Sequence, residues 1–162
     1  MRKNIINISE VELSPRPPQF APTGAAAERF EARVGQIAEQ IGAKKLGYNL
    51  TAVPPGKRGY PFHSHRVQEE MFYVLEGTGE VRIGAETFPI RAGDIIACPT
   101  GGPETAHQIV NNGKTELKYL AISTKATAEI CEYPDSRKIA GFGDGVRFVF
   151  RAGEQAGYWE GE

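Results

Sequence analysis

Residues 56–77 read GKRGYPFHSHRVQEEMFYVLEG. The stretch holds two of the chain's three histidines in the pattern His63-Ser64-His65, followed by Glu70 at the head of a run of five apolar residues, Met71-Phe72-Tyr73-Val74-Leu75. On a β-strand residues i and i+2 face the same side, so His63 and His65 aim both imidazoles into one space. A short turn over Arg66-Val67-Gln68-Glu69 lets the next strand return antiparallel and bring Glu70 beside them. Glu69 is the competing carboxylate. As the chain neighbour of Glu70 it takes the opposite face, and Glu70 is preferred because it shares parity with Phe72 and Val74. The third histidine, His107, opens another apolar run, His107-Gln108-Ile109-Val110. If that run faces the same interior, three nitrogens and one oxygen converge. That donor set suits one divalent transition metal (Zn, Mn, Fe, Ni or Co), with one or two positions left for water or substrate. An isolated His-x-His is more often a surface or hydrogen-bonded pair than a ligand pair. Here the strand pattern and the downstream Glu and His weigh towards a metal site.

Working outward, Leu46, Tyr48, Leu50 and Ala52 alternate with small or polar residues, and further strands are expected near 60–65, 70–76, 79–83, 86–90, 94–98, 106–111, 117–123 and 146–151. Gly84-Ala85 suits a two-residue hairpin. Gly 19 and Pro 11 in 162 residues make close to one residue in five, against a usual ~12%. The excess sits between short apolar runs, as turns do. The class is all-β with one N-terminal helix. That helix is expected over about 25–41, where Ala26, Phe30, Val34, Ile37 and Ile41 form one helical stripe, with Thr23 as N-cap and Gly42 as stop. The organisation is a single domain: an N-terminal extended segment and helix over 1–45, a barrel core over 46–124, and a C-terminal extension over 125–162 whose Tyr158 and Trp159 should dock. The unbroken run at 71–75 implies a strand covered on both faces, by the helix or by a second subunit, which motivates a homodimer.

Hydrophobic residues make up 40% and charged residues 24%, and the net charge is −1. No basic face marks a nucleic-acid binder, and no apolar run approaches the ~18 residues of a membrane span. The first twenty residues lack the apolar region of a signal peptide. Cys98 and Cys131 match no metal or redox spacing. The expectation is a reduced, cytoplasmic protein whose partner is a small molecule.

The segment 56–77 resembles the first motif of the cupin superfamily, which His63, His65, Glu70 and Gly77 match in order. Gly93, Pro99, Gly101, His107 and Asn111 match the second motif, with a longer stretch between Gly101 and His107 than the family pattern has. The resemblance implies a cupin-type double-stranded β-helix, or jelly-roll barrel, often dimeric, with the metal inside. A metal held by His63, His65, Glu70 and His107 can polarise a carbonyl or bind a vicinal diol. The leading expectation is therefore a metal-dependent sugar or sugar-phosphate isomerase, with Glu70 as the one catalytic candidate beyond metal binding. A dioxygenase or decarboxylase and a non-catalytic binder of carbohydrate-like molecules are the alternatives. Lys57 and Arg58 are candidates for meeting a substrate phosphate, with a solvated turn as the blander account. Tyr60 and Tyr73 lie on the wrong strand face to act as proton carriers. Asn111 reads as a turn or hydrogen-bonding residue.

Overall fold

Period-two alternation builds a two-layered β-structure in the computed structural model, which describes residues 4–151, 153 and 156–162. Residues 1–3, 152, 154 and 155, part of the N-terminal segment and of the expected tail, lie outside the described residues. The strands are β1 (Ser14–Pro15), β2 (Arg33–Gln36), β3 (Leu46–Val53), β4 (Ser64–His65), β5 (Glu70–Glu76), β6 (Thr78–Ile83), β7 (Glu86–Arg91), β8 (Ile95–Cys98), β9 (His107–Val110), β10 (Leu117–Thr124), β11 (Ala128–Tyr133), β12 (Lys138–Gly143) and β13 (Val146–Arg151). One layer is a six-stranded sheet in the order β1-β2-β3-β10-β5-β8. The other comprises a three-stranded sheet, β7-β6-β9, and a four-stranded sheet, β13-β12-β11-β4, joined by an antiparallel bridge between His63 and His107. All pairings between named strands are antiparallel. The Gly84-Ala85 hairpin joins β6 to β7 as expected, with φ of +55° at Gly84.

Alternate residues of each strand face the space between the layers. Phe72 and Val74 of β5, Leu117, Tyr119 and Ala121 of β10, Val81 of β6 and Ile109 of β9 meet there in the main apolar core. On the back of the six-stranded sheet, Leu50, Leu75 and Leu120 pack with Val11, Leu13, Ile37 and Ile41. The chain's own N-terminal segment thus covers the second face of the 71–75 run, while Tyr73 remains partly exposed.

That cover is extended chain, a correction to the helix expected over 25–41. Helix α1 spans only Ala25–Arg29, capped at Gly24 rather than Thr23, and residues 33–36 form β2 against β3. The helical spacing of Ile37 and Ile41 survives only as one turn, with the Ile41 N–H donating to the Ile37 carbonyl. Gly35 explains the difference. Glycine weakens a helix interior, and its missing side chain lets β2 lie against Val11 and Glu12. A Cβ at Gly35 would collide with Val11 Cγ1 and sit 2.8 Å from the Glu12 carbonyl oxygen.

Beyond β1 and β2, strands β11 and β12 were also not expected. In β11 the usual pattern is inverted: Glu129 and Cys131 are buried while Ile130 is exposed. The buried carboxylate has full employment. Glu129 Oε1 accepts the backbone N–H groups of Arg66 (3.0 Å), Val67 (3.1 Å) and Ile130 (2.8 Å), and Oε2 accepts that of Gln68 (2.5 Å). Glu129 therefore holds the turn that carries the chain from β4 to β5. Strand β13 is present as expected, but its residues are all exposed, and Tyr158 and Trp159 stand 87% and 77% exposed rather than docked on the barrel. Among the described residues, no helix is long and apolar enough to cross a membrane.

Two substitutions test this account. Gly35→Ala should stabilise a helix by about 1 kcal/mol but destabilise β2 by about 1–3 kcal/mol through overpacking. A fall in melting temperature is expected, and a rise would restore the helix. Glu129→Gln replaces one acceptor oxygen with a donor facing a backbone N–H and should cost about 1–3 kcal/mol. A urea midpoint equal to that of the parent chain would remove Glu129 from its role in the turn.

Candidate functional site

Main-chain pairing sets the positions of the three imidazoles. The His63 N–H donates to the His107 carbonyl at 3.2 Å, and the His107 N–H donates back to the His63 carbonyl at 2.8 Å. This cross-strand pair sets their rings side by side, with centroids 4.7 Å apart. His65, two residues on from His63, pairs with Cys131 of β11, and its carbonyl accepts the Gly101 N–H at 2.8 Å. The long stretch before His107 is thereby folded onto β4, and Thr105 closes it with a hydrogen bond to the Gly102 carbonyl. Glu70 opens β5 opposite Cys98 and Ser123. Glu69 is exposed on the other face, as parity requires.

All four expected residues come together. One carboxylate oxygen, Glu70 Oε2, lies 3.0 Å from His107 Nε2, 3.5 Å from His65 Nε2 and 3.9 Å from His63 Nε2. His65 and His107 are buried, whereas His63 and Glu70 are half-buried and lead out to solvent. The Nδ1 atoms point to fixed partners. His63 Nδ1 lies 2.8 Å from the Pro61 carbonyl, His107 Nδ1 lies 3.3 Å from the Thr105 carbonyl, and His65 Nδ1 lies 3.3 Å from Cys131 Sγ and 3.7 Å from Glu129 Oε2. Such partners place the proton on Nδ1 and leave Nε2 as a lone pair. His65 Nε2 is buried with no hydrogen-bond partner among the described residues. An orphaned imidazole nitrogen beside a carboxylate and two further imidazole nitrogens fits a bound cation.

The electrostatics divide the cluster: His63 is held neutral, whereas His65 is drawn to its protonated form beside the Glu70 carboxylate, a proton that a bound cation would displace. Burial, reinforced by the neighbouring His107, lowers the His63 pKa to about 4, so this ring is neutral at pH 7. Burial works against ionisation of Glu70, but the bonds from His107 and the nearness of His65 outweigh it and hold the carboxyl below the ordinary range. Burial also opposes a charge on His65, yet Cys131 and the Glu70 carboxylate raise its pKa above the usual imidazole value. Burial pushes the Cys98 thiol up to about 12, which leaves it a small hydrophobe beside the site.

Two residues of the site escaped the sequence reading, Glu129 and Cys131, hidden by the inverted pattern of β11. Tyr133, which the sequence suggests as the start of a turn able to border the barrel mouth, is the last residue of β11. Its ring stacks on His63 with centroids 6.1 Å apart and planes 19° apart, and burial raises its phenol pKa. The other candidates fall elsewhere. Lys57 Nζ donates to the carbonyls of Ala27 (3.2 Å) and Glu28 (2.9 Å) at the end of α1. Arg58 lines a cavity with Gln108 and Val110, whose parity sets them on the face of β9 opposite His107. Tyr73 faces outward, and Asn111 is a clamp: its amide donates to the carbonyls of Val53 and Thr115, each at 2.8 Å, and its oxygen accepts the Gly113 N–H at 2.9 Å.

Comparison with known proteins places this geometry. Residues 49–123 match the family model for the cupin domain. A sequence relative, the oxalate-binding protein of Thermotoga maritima, is 37% identical over 70 residues, which are 43% of this chain and 54% of that protein. The chain spans about half the length of the curated relatives it matches. Among solved structures, a protein described as a sugar phosphate isomerase from Acidithiobacillus ferrooxidans superimposes with a TM-score of 0.83 at 23% identity, covering 96% of each chain. Another so described, from Silicibacter pomeroyi, gives 0.80 at 22% identity over 91% of this chain and 92% of its own. At these identities the structures speak for the fold. The chain therefore has the cupin fold, with the cupin-domain match at residues 49–123.

Proposed function

We propose that the chain is a metal-dependent enzyme acting on a small oxygenated substrate, with isomerisation of a sugar or sugar phosphate as the leading reaction. The observation that carries this reading is the convergence of three imidazole Nε2 atoms on one oxygen of Glu70. His63, His65, His107 and Glu70 would hold one divalent transition metal. Bound there, the metal would supply Lewis-acid polarisation of a carbonyl or a pair of hydroxyls. The chain's own residues do the rest. Contacts from Glu70 to the imidazoles run through Oε2, which leaves Oε1 to carry a proton. In an aldose–ketose exchange Glu70 would take the proton from the carbon beside the carbonyl and return it to the former carbonyl carbon. A hydroxyl proton would pass in the same sense, from the oxygen on that carbon to the former carbonyl oxygen, so that nothing is oxidised overall. Tyr133, kept as a protonated phenol by burial, is placed beside His63 to donate a hydrogen bond to a substrate oxygen. The fold neighbours named as sugar phosphate isomerases are consistent with this chemistry.

A second reading, retention of a small dicarboxylate without turnover, draws on the 37% identity over 70 residues to the oxalate-binding protein. The two readings separate in one set of measurements. Elemental analysis of untagged protein should find about one transition-metal ion per chain, falling at least tenfold in His107→Ala or His63→Ala. Solvent deuterium should enter an aldose or ketose only with the parent protein. Tight oxalate binding with no deuterium exchange would select the second reading. Protein that neither carries nor takes up a divalent ion would overturn both. Because a ligand bound only to the folded state stabilises it, a chelator should lower the melting temperature, and the added ion should restore it.

A further inference from the structure

A cavity of about 680 Å³ lies on the outer face of the β7-β6-β9 sheet, roofed by the segment that runs from Arg16 to Phe30. Its volume is within the range of small-molecule sites, ~300–1,000 Å³. It is separate from the imidazole cluster. Strand β9 sends His107 and Ile109 inward and Gln108 and Val110 outward, and only the outward pair lines this cavity. In the same way Arg82 and Glu80 of β6 line it while Val81 joins the core.

The lining is strongly basic for a chain of net charge −1. Five cations, Arg16, Arg29, Arg58, Arg82 and Lys138, face two carboxylates, Glu80 and Asp135. Arg82 is committed: it pairs with Asp135 at 2.9 Å and lies over the Phe62 ring at 3.6 Å. Arg16 donates to the Gly59 carbonyl and stacks on Tyr60. Among the described residues Arg16, Arg29, Arg58 and Lys138 have no carboxylate within 4.0 Å. Arg16, Arg58 and Lys138 are nonetheless half-buried. A cation drawn partly out of water without a counter-charge costs free energy, and three such groups, with the exposed Arg29 beside them, concentrate positive potential around the concavity. Guanidinium groups match the oxygens of a phosphate bidentately. Phe20, Phe30 and Phe62 supply apolar walls beside the cations.

We propose that this cavity is a second small-molecule site, selective for a phosphate monoester, with Arg58 and Lys138 as its principal anion-binding groups. A phosphate monoester brings a charge of about −1.5 to −2 at pH 7, which offsets most of the surplus of cations over carboxylates. The site backs directly onto the catalytic candidates: Pro61 and Phe62 lead into His63, and Gln108 follows His107. Gln108 Nε2 also donates to the Tyr60 carbonyl at 2.7 Å, tying the two cavity walls together.

The test is calorimetric titration of the full chain with glucose 6-phosphate and with glucose. Glucose 6-phosphate should bind, more weakly as salt rises, and glucose should not bind at this site. Arg58→Gln and, separately, Lys138→Gln should each weaken the phosphate ester at least tenfold with an unchanged melting temperature. His107→Ala, which disables the imidazole cluster, should leave that affinity within twofold. The proposal is overturned if glucose 6-phosphate gives no binding, or if loss of binding follows His107→Ala instead of the arginine and lysine variants. It is overturned equally if Arg58→Gln changes the sedimenting mass and not the phosphate affinity, since the cavity would then be a contact between copies of the chain. Failure here leaves the metal analysis of His63→Ala and His107→Ala untouched, so the two sites are judged separately.

Discussion

Two main-chain hydrogen bonds between His63 and His107 carry most of the architecture. They are the seam at which the three-stranded and four-stranded sheets become one layer opposite the six-stranded sheet. They also set two imidazoles on neighbouring strands, in register, with no contribution from side-chain flexibility. A site built on paired backbone holds its ligand atoms more tightly than one built on loops. His65 gains the same benefit through its pairing with Cys131. The long loop before His107, which would otherwise leave that residue loosely tethered, is pinned where Gly101 bonds to the His65 carbonyl. Each histidine is thus restrained by a strand that also restrains another.

Two carboxylates lie near His65, Glu129 buried and Glu70 half-buried, and their surroundings separate their roles. Glu129 accepts four backbone N–H groups and has no capacity to spare. Glu70 accepts no backbone donor in the described structure. It faces three imidazole nitrogens, one of them lacking any hydrogen bond. The first arrangement satisfies an anion by the fold alone and serves to order a turn. The second leaves charge and lone pairs directed at one point. The distinction rests on what each oxygen touches, since the residue type is the same.

The convergence of His63, His65, Glu70 and His107 was legible because strand parity is a strict rule. His63, His65 and Glu70 are separated by an even step and a short turn, so their convergence follows from the pleat, and Glu70 was distinguished from Glu69 on the same ground. The failures came from places where periodicity was ambiguous or inverted. Ile37 and Ile41 satisfy a helical spacing over one turn, but Gly35 and the chance to extend the six-stranded sheet through β3 drew residues 33–36 into a strand. β11 buries Glu129 and Cys131 and exposes Ile130, so a search for alternating apolar residues had nothing to find. Lys57 and Arg58, adjacent in sequence, were read as a unit, yet adjacency on extended chain sends side chains apart. One caps a helix and the other enters a cavity.

β9 serves two chambers at once, with odd-numbered residues turned inward and even-numbered residues outward. Its chemistry is therefore encoded in register as much as in composition. A slip of a single position in its pairing with β6 would exchange the two sets, sending Gln108 into the space of the imidazole cluster and His107 to the outer wall. Neither chamber could tolerate the exchange while the other remained intact. The Asn111 clamp at the end of this strand, bonded to Val53, Thr115 and Gly113, acts as the stop that fixes where the count begins. A buried asparagine remote from every imidazole then becomes a determinant of which residues the interior contains.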